Sequence, residues 1–159
     1  MIRVGIGYDS HRFASDRRLI LGGVTIPHPM GLAGHSDADA VAHALADAML
    51  GAVGMGDIGR LFPDTDPAHK DADSIVLLAN IATRIRQAGW VLQQADITVI
   101  MEAPKLASHA GAMQARLATA VGADPAAISV KAKTNEGMGF IGRGEGIAVF
   151  AVATLMATT

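Results

Sequence analysis

The segment Val4-Gly-Ile-Gly-Tyr-Asp-Ser-His-Arg-Phe13 contains most of an N-terminal β-strand, which is predicted to run from Ile2 to Arg12. In a strand, the side chains at positions i and i+2 point to the same face of the sheet. Asp9 and His11 are therefore expected to reach one point in space. A carboxylate and an imidazole held together in this way are candidate metal ligands.

A second polar segment, His35-Ser-Asp-Ala-Asp39, stands at the start of a helix predicted over residues 37–51. Ser36 is expected to be the N-cap of this helix, with Asp39 at the N3 position of a capping box. His43 lies near the helix start and can complete a three-ligand metal site with the two strand residues. Three protein ligands with nitrogen and oxygen donors leave one coordination position open, as in catalytic zinc sites.

The absence of cysteine from the 159 residues restricts the chemistry of the chain. Disulfides, thiolate metal sites and cysteine nucleophiles are excluded. A transition metal therefore has to be held by histidine and carboxylate. Zinc is the leading metal for such donors, and manganese and iron are the alternatives.

Length and charge indicate one domain, 1–159, with a net charge of -2. A chain with this charge has no global basic field that would attract nucleic acid. The N-terminus begins directly with a strand and carries no signal-peptide pattern. The longest apolar run, 147–157, is shorter than the roughly 20 residues that span a bilayer. We expect a soluble, cytoplasmic protein that binds neither nucleic acid nor membrane.

Strands and helices alternate along the rest of the chain. The predicted elements are a hairpin at Leu19–Ile26 around Gly22-Gly23, helices at about 72–87 and 106–121, and strands at 90–101, 128–133 and 146–155. This alternation indicates an α/β or α+β fold in one domain. The last strand is apolar enough to be covered on both faces. In a small domain, another subunit can supply one of these covers.

Polar residues around His43 suggest further roles. Asp39, His43 and Asp47 share one helix face, so either carboxylate could orient a metal ligand or a substrate hydroxyl, or could simply face solvent. His35 and Ser36 precede the helix, where exposed N–H groups and the helix dipole favour a phosphate. Capping alone also accounts for Ser36.

Two glycine-rich segments, 54–59 and 137–142, match the pattern G-x-G-x-x-G. Neither lies between a strand and a helix, which is the context in which this pattern binds dinucleotides. The second segment belongs to Lys133–Gly146, where glycines alternate with a cation, a hydroxyl and carboxylates, and we predict a ligand-binding loop there. Phe62–Asp66 is predicted to be a rigid acidic loop. Three histidines that belong to no constellation of candidate site residues are expected to be ordinary surface residues: His28, His69 and His109.

Five segments of the chain form an ordered set of motifs. They are Gly7-Tyr-Asp-Ser-His-Arg-Phe13, His35-Ser-Asp-Ala-Asp-Ala-Val-Ala-His43, Gly56-Asp-Ile-Gly-Arg-Leu-Phe-Pro-Asp-Thr-Asp66, Glu102-Ala-Pro-Lys105, and Lys131-Ala-Lys-Thr-Asn-Glu136 continuing to Gly146. In this order, and over essentially the whole chain, they resemble the 2-C-methyl-D-erythritol 2,4-cyclodiphosphate synthase family of the non-mevalonate isoprenoid pathway. Several long motifs in one order are more specific than any single motif.

The resemblance implies a single cyclodiphosphate synthase domain with an α/β (α+β) fold. Its sheet is expected to be mixed and four-stranded, with helices packed on one side, and to assemble as a homotrimer with active sites between subunits. The implied activity is that of a lyase-type cyclase, which converts 4-diphosphocytidyl-2-C-methyl-D-erythritol 2-phosphate into 2-C-methyl-D-erythritol 2,4-cyclodiphosphate and CMP. Two ions are implied: Zn²⁺ or another divalent transition metal, and Mg²⁺ or Mn²⁺ on the diphosphate.

The matching positions also imply the site residues. The implied metal ligands are Asp9, His11 and His43 for zinc and Glu136 for the ion on the diphosphate. His35 and Thr134 are implied to position phosphates and stabilise the transition state. The implied substrate contacts are Ser36, Asp57, Gly59, Phe62, Asp64 and Asp66 near the phosphates and the erythritol, Met101, Ala103, Pro104, Lys105, Leu106, Ala107 and Lys133 near the cytidine diphosphate, and also Phe140 and Arg143. Arg143 and Glu145 match positions that line a trimer-axis cavity, which isoprenoid-like ligands occupy in some relatives.

Two other functions are compatible with these residues. A zinc hydrolase would cleave a phosphoester with metal-bound water, whereas the cyclase releases CMP with no net consumption of water. A trimeric binding module for isoprenoid diphosphates would use Arg143, and its metal triad would be structural only. Substantial isoprenoid affinity without CMP release would indicate this binding module.

Overall fold

The N-terminal strand β1 (Ile2–Ala14) pairs antiparallel with the C-terminal strand β7 (Gly146–Ala157) in the computed structural model, which describes residues 1–158. The ladder runs from the Ile2↔Met156 pair to the Arg12↔Gly146 pair. On its other side β7 pairs antiparallel with β5 (Trp90–Ile100), and β5 pairs parallel with β6 (Ile128–Lys133). The sheet is therefore mixed, as predicted.

A fifth strand, β4 (Gly31–Leu32), extends the sheet to the order β4-β1-β7-β5-β6, so the prediction of four strands is wrong. This strand pairs only two residues with the end of β1. So short a pairing leaves no alternation in the sequence from which it could be recognised. The predicted hairpin is confirmed as β2 (Leu19–Leu21) and β3 (Val24–Ile26), and both turn glycines have positive φ.

Three helices cover one face of the sheet: α1 (Ala40–Val53), α3 (Ser74–Gln87) and α4 (Ala110–Val121). Two shorter helices, α2 (Ile58–Leu61) and α5 (Gly139–Gly142), lie next to α1 and β7. Helix α1 packs directly on β1 and β7, and α3 lies between α1 and α4. Val149 and Ala151 of β7 are buried under this layer, whereas Phe150 and Val152 are exposed on the opposite face. Within residues 1–158, no helix has both the length and the apolar character required to cross a membrane.

Helix α1 begins later than predicted because Asp39, and not Ser36, is its N-cap. The Asp39 carboxylate accepts hydrogen bonds from the N–H groups of Ala42 (3.0 Å), Gly22 (2.8 Å) and Gly23 (2.7 Å). Burial raises the pKa of Asp39 to about 6, although the three N–H donors act to lower it. Asp39 thus joins the hairpin to α1, and the predictions of a solvent-facing or substrate-orienting carboxylate are wrong.

Glycine allows α1 to lie directly on β1. A Cβ atom at Gly7 would overlap the carbonyl oxygen of Ala44, and a Cβ atom at Gly5 would overlap that of Ala48. The two backbones are therefore in contact, with no side chain of β1 between them. This close approach brings His43, the neighbour of Ala44, to the level of the polar end of the strand.

We expect Gly7→Ala to lower the free energy of unfolding by about 1–3 kcal/mol, because the added Cβ atom meets the backbone of α1 and no side-chain rotation can relieve this overlap. The matched control is Gly111→Ala on α4, where an added Cβ meets no atom within 4 Å. This control should raise the free energy of unfolding by about 0.5–1 kcal/mol. Urea unfolding followed by circular dichroism measures both variants, and similar effects of the two substitutions would contradict the proposed contact.

Candidate metal centre and active site

Three side chains from two elements converge where α1 crosses the polar end of β1. Asp9 and His11 project from β1, and His43 lies in the first turn of α1. Asp9 Oδ2 is 2.8 Å from His11 Nε2 and 3.1 Å from His43 Nδ1. The three ligand atoms all lie within 4.8 Å of one another, and no other such group of three occurs within residues 1–158. The structure thus brings together the three predicted zinc ligands.

His11 presents a lone pair to this centre. Its Nδ1 lies 2.7 Å from the carbonyl oxygen of Ala33, which can only accept, so Nδ1 carries the ring proton. His11 Nε2 is then an acceptor that faces Asp9 Oδ2. Despite the short separation, Nε2 is buried without a hydrogen-bond partner among residues 1–158. Two acceptors at this distance repel each other unless a positive charge lies with them, so the donor set fits a bound cation.

The pKa values of the ligands also reflect a demand for positive charge. Burial acts to raise the pKa of the Asp9 carboxyl, but the neighbouring imidazoles of His11 and His43 outweigh this effect and lower it. Burial acts to lower the pKa of the His11 imidazole, but the Asp9 carboxylate raises it overall. Two imidazoles and one carboxylate are donors suited to a divalent transition metal.

A cavity of about 410 Å³ opens beside the three ligands, within the range of small-molecule sites. Of the predicted site residues, its lining includes His11, His43, His35, Ser36, Gly59, Phe62 and Asp64. His35 Nε2 donates a hydrogen bond of 3.1 Å to the carbonyl oxygen of Asp66, the last residue of the predicted acidic loop. This bond ties the loop after α2 to the segment before α1.

Two carboxylates hold α2 at the rim of this cavity. Asp47, about one turn after His43, accepts a 2.8 Å hydrogen bond from the N–H of Ile58. Burial raises the pKa of the Asp47 carboxyl, although this N–H acts to lower it. Asp57 is exposed, and it caps α2 by accepting a 2.9 Å hydrogen bond from the N–H of Arg60. Asp47 thus positions the loop, so a purely solvent-facing role for it is wrong.

The residues predicted for the cytidine side lie on two loops that hydrogen-bond to each other. The N–H of Met101 donates to the Lys133 carbonyl at 2.9 Å, and Glu102 Oε1 accepts from the N–H of Asn135 at 2.9 Å. Glu102 was not predicted as a site residue, although it lies within a matching motif. The side chains of Met101 and Leu106 are buried in the core, so these positions can contact a ligand only through their backbone. The other predicted positions are exposed or half-buried: Ala103, Pro104, Lys105 and Ala107.

Thr134 and Glu136 lie on the exposed loop after β6. Thr134 Oγ1 accepts a 3.3 Å hydrogen bond from the N–H of Glu136, which has a φ of 52°. Glu136 belongs to no cluster of potential metal ligands within residues 1–158. Phe140 lines a different cavity, of about 230 Å³, together with Glu145. Arg143 forms a 2.9 Å ion pair with Glu145 on the surface.

His69 was predicted to be an ordinary surface residue, and this prediction is wrong. Its ring packs edge-on against Phe62 with 5.3 Å between centroids, and it lines the metal-side cavity. Its contribution depends on the path of the loop between α2 and α3. Because that loop has no periodic pattern, this placement could not be predicted from the sequence. The other lining residues that were not predicted are Gly34, Ile58, Pro63 and Leu77.

Comparison with known proteins assigns the chain to a family. A sequence model described as the YgbB family matches residues 2–156. The chain belongs to the YgbB family. The 2-C-methyl-D-erythritol 2,4-cyclodiphosphate synthase of Bordetella petrii is 58% identical over 153 residues, which are 96% of this chain and 94% of that protein. The enzyme of the same name from Gemmatimonas aurantiaca is 53% identical over 157 residues, 99% of this chain and 95% of the relative.

Solved structures of family members have the same fold. Bifunctional IspDF from Campylobacter jejuni matches with a TM-score of 0.95 at 46% identity, over 99% of this chain and 42% of the longer protein. IspF from Plasmodium falciparum, in complex with CDP, matches with a TM-score of 0.87 at 34% identity, over 99% of this chain and 97% of the other. The family and the enzyme class predicted from the motifs are thereby confirmed.

We expect His11→Ala to abolish stoichiometric zinc binding, because it removes a buried lone pair for which the described part of the chain supplies no donor. The loss of affinity should exceed the about 10–100-fold that removal of an outer-shell partner typically causes. Elemental analysis and competition with a chelator measure this loss. The control is His28→Ala, since the His28 ring packs near Phe13 and outside the centre. Equal zinc content in His11→Ala and the unmodified protein would contradict the assignment.

Proposed function

We propose that this chain converts 4-diphosphocytidyl-2-C-methyl-D-erythritol 2-phosphate into 2-C-methyl-D-erythritol 2,4-cyclodiphosphate and CMP. The observation that carries the proposal is the convergence of Asp9, His11 and His43 beside a cavity that His35 and Gly59 also line. The names of relatives that align over nearly the whole chain support the same activity.

The reaction requires alignment and charge neutralisation, and it requires no protein nucleophile. An oxygen of the 2-phosphate forms a bond to the β-phosphorus of the substrate. The bond from this phosphorus to the oxygen that bridges to the α-phosphate breaks, and CMP leaves with that oxygen. No water is consumed. Positioning and electrostatic stabilisation dominate catalysis of phosphoryl transfer, which is what a rigid cluster of polar groups supplies.

The chain offers ligands of two kinds for divalent ions. Asp9, His11 and His43 would hold Zn²⁺ or another divalent transition metal, which supplies Lewis-acid stabilisation of phosphate charge when bound. Glu136 would hold Mg²⁺ or Mn²⁺ together with oxygens of the diphosphate. A single carboxylate is sufficient for this role, because magnesium sites commonly use one or two carboxylates plus substrate phosphates.

Two further side chains are oriented to contact phosphates. His35 donates Nε2–H to the Asp66 carbonyl, so only the imidazolium form, with a second proton on Nδ1, can donate a hydrogen bond to a phosphate oxygen. Thr134 Oγ1 accepts from the N–H of Glu136, so its hydroxyl proton remains for a phosphate oxygen. We assign His35 and Thr134 to phosphate positioning. The segments Asp57–Gly59 and Phe62–Asp66 would hold the erythritol, and Met101–Ala107 with Lys133 would frame the cytidine diphosphate.

We also propose that the complete site forms between the subunits of a homotrimer. Ser10, Ala148, Ile100 and Lys133 are register partners in one row across β1, β7, β5 and β6. Three strand spacings of roughly 4.8 Å therefore separate the metal-binding strand from the cytidine-side strand by about 14 Å. The cavity at the metal ligands includes no residue of the cytidine-side loops. Supply of these loops by a neighbouring subunit would complete it.

The uncovered face of the sheet supports this assembly. Ile2, Val4, Ile6 and Tyr8 of β1 are exposed on it. Phe150, Val152 and Met156 of β7 lie opposite them in register. Contiguous apolar patches of this kind mark interaction surfaces. The number of three subunits follows from the family resemblance.

We expect the protein, incubated with the cytidyl substrate, Zn²⁺ and Mg²⁺, to form CMP and a cyclic diphosphate that phosphorus NMR resolves. In ¹⁸O-labelled water the products should gain no label, whereas a zinc hydrolase would incorporate it. Linear, ¹⁸O-labelled products would refute the cyclase.

Thr134→Val should lower kcat by about 10²–10³-fold, as for loss of one donor to a developing oxyanion. Thr119→Val on the exposed face of α4 is the control and should leave kcat unchanged.

We expect Ile6→Glu to convert the trimer into monomers in light scattering after gel filtration, because a carboxylate at the centre of the uncovered face cannot be buried without a partner. The matched control is Val76→Glu. Val76 is 62% exposed and Ile6 is 69% exposed, but Val76 lies on α3 and away from the sheet. Both variants should keep the circular dichroism of the parent. A trimer that survives Ile6→Glu would argue against the proposed interface.

A further inference from the structure

The ring nitrogen of His43 that faces away from the metal centre has its own polar environment. His43 Nε2 lies 2.7 Å from the hydroxyl oxygen of Ser74, the first residue of α3. The Ser74 hydroxyl in turn makes a short contact with Asp37 Oδ1. Ser74 is 1% exposed, so bulk water does not substitute for these partners. The three side chains form a chain from Asp37 through Ser74 to the candidate zinc ligand.

The carboxylate of Asp37 is held as an acceptor. Its Oδ2 accepts a 3.1 Å hydrogen bond from the N–H of Ser74, and its Oδ1 accepts one of 3.1 Å from the N–H of Asp39. The N–H of Asp37 donates to the carbonyl of Ala72 at 3.1 Å, which fixes the backbone on both sides of the contact. Asp37 also lies at the N-terminus of α3, where the helix dipole favours a negative charge.

The number of protons then determines the state of His43. A serine hydroxyl has one proton, and an ionised carboxylate can only accept. Ser74 must therefore donate its proton to Asp37. The Ser74 oxygen is then the acceptor of the hydrogen bond with His43. The proton of that hydrogen bond must therefore reside on His43 Nε2. A neutral His43 with its proton on Nε2 presents the lone pair of Nδ1, and Nδ1 is the atom that lies 3.1 Å from Asp9 Oδ2.

We propose that Ser74 and Asp37 are positioning residues that fix His43 as the tautomer whose Nδ1 binds the metal. The inference rests on the metal centre assigned above and adds to it an outer carboxylate–serine pair. Outer partners of this kind set the ring orientation and the basicity of histidine ligands. The pair also connects the start of α3 to a ligand on α1, so the metal centre depends on three elements of the fold.

The hydroxyl of Ser36 is the competing partner for the same nitrogen. It lies 3.3 Å from His43 Nε2 and accepts a 3.2 Å hydrogen bond from the N–H of Ala38. Unlike Ser74, it makes no contact with a carboxylate in the hydrogen-bond network of residues 1–158, so it can act as donor or acceptor and cannot fix the tautomer. Ser36→Ala is therefore the matched comparison for Ser74→Ala.

The test measures zinc affinity by chelator competition for the parent and for Ser74→Ala, Ser74→Thr and Ser36→Ala. Ser74→Ala should weaken zinc binding by about 10–100-fold, and Ser36→Ala should weaken it less. Ser74→Thr keeps the hydroxyl and should restore most of the affinity. In zinc-loaded protein labelled with ¹⁵N-histidine, the His43 Nε2–H proton should exchange slowly in the parent and faster in Ser74→Ala. Helix α3 should remain intact in Ser74→Ala, because its cap is the hydrogen bond that the N–H of Ile75 donates to the Asp73 carboxylate, which does not involve the Ser74 hydroxyl.

Unchanged zinc affinity and unchanged proton exchange in Ser74→Ala would overturn the proposal. It would also fail if Ser74→Thr bound zinc as weakly as Ser74→Ala, because packing and not the hydroxyl would then be responsible. If Ser74→Ala does not fold, Asp37→Asn replaces it in the test. Both carboxylate oxygens of Asp37 accept from backbone N–H groups, so the amide of asparagine must place its NH₂ group against one of these donors in either orientation. Parent affinity in Asp37→Asn would refute the pair. Failure of the unmodified protein to bind zinc would instead refute the metal centre itself.

Discussion

The backbone contact between α1 and β1 is the constraint on which the rest of the molecule depends. Gly5 and Gly7 lie opposite Ala48 and Ala44, so two residues along the strand match four along the helix. These steps are similar in length, about 6.8 Å in a strand and about 6.0 Å in a helix. Continued in the same direction, this match brings the next strand residues of that face, Asp9 and His11, to the start of α1. Any side chain at the glycines would separate the metal ligands.

Hydrogen bonds to groups outside the metal centre explain why it is preorganised. Each imidazole is held by a group outside the centre, His11 by the carbonyl of Ala33 and His43 by Ser74. Neither ring can turn its lone pair away without breaking that hydrogen bond. The repulsion between two lone pairs and the Asp9 carboxylate is therefore built into the packed structure. A divalent cation relieves it with no rearrangement of the ligands, which favours tight binding in a defined geometry.

The sequence could indicate the metal ligands because local periodicity places Asp9 with His11 and puts His43 at a helix start, and the family motifs join the two. The i, i+2 spacing of Asp9 and His11 needs only a strand, and His43 needs only a helix that follows a polar segment. The position of Ser74 could not be predicted in this way, because it depends on how α3 docks beside α1. The prediction placed the N-cap of α1 at Ser36 because the sequence pattern allows a cap at either Ser36 or Asp39. The hydrogen bonds between the Asp39 carboxylate and the hairpin, which the sequence does not reveal, favour the later start. The strand β4 is a consequence of the path of β1 and has no pattern of its own.

In the proposed site, the separation of the metal-side cavity from the cytidine-side loops would have a physical consequence for ligand recognition. The metal-side cavity belongs to the rigid contact of helix and strand, whereas the cytidine-side loops are joined to each other through Glu102 and the Lys133 carbonyl. Each half is thus internally fixed, and the variable quantity is the distance between halves. In the proposed trimer that distance is set by the packing of the uncovered sheet faces. Apolar packing there would then act on catalysis through alignment of the phosphates, although none of its side chains contacts the substrate.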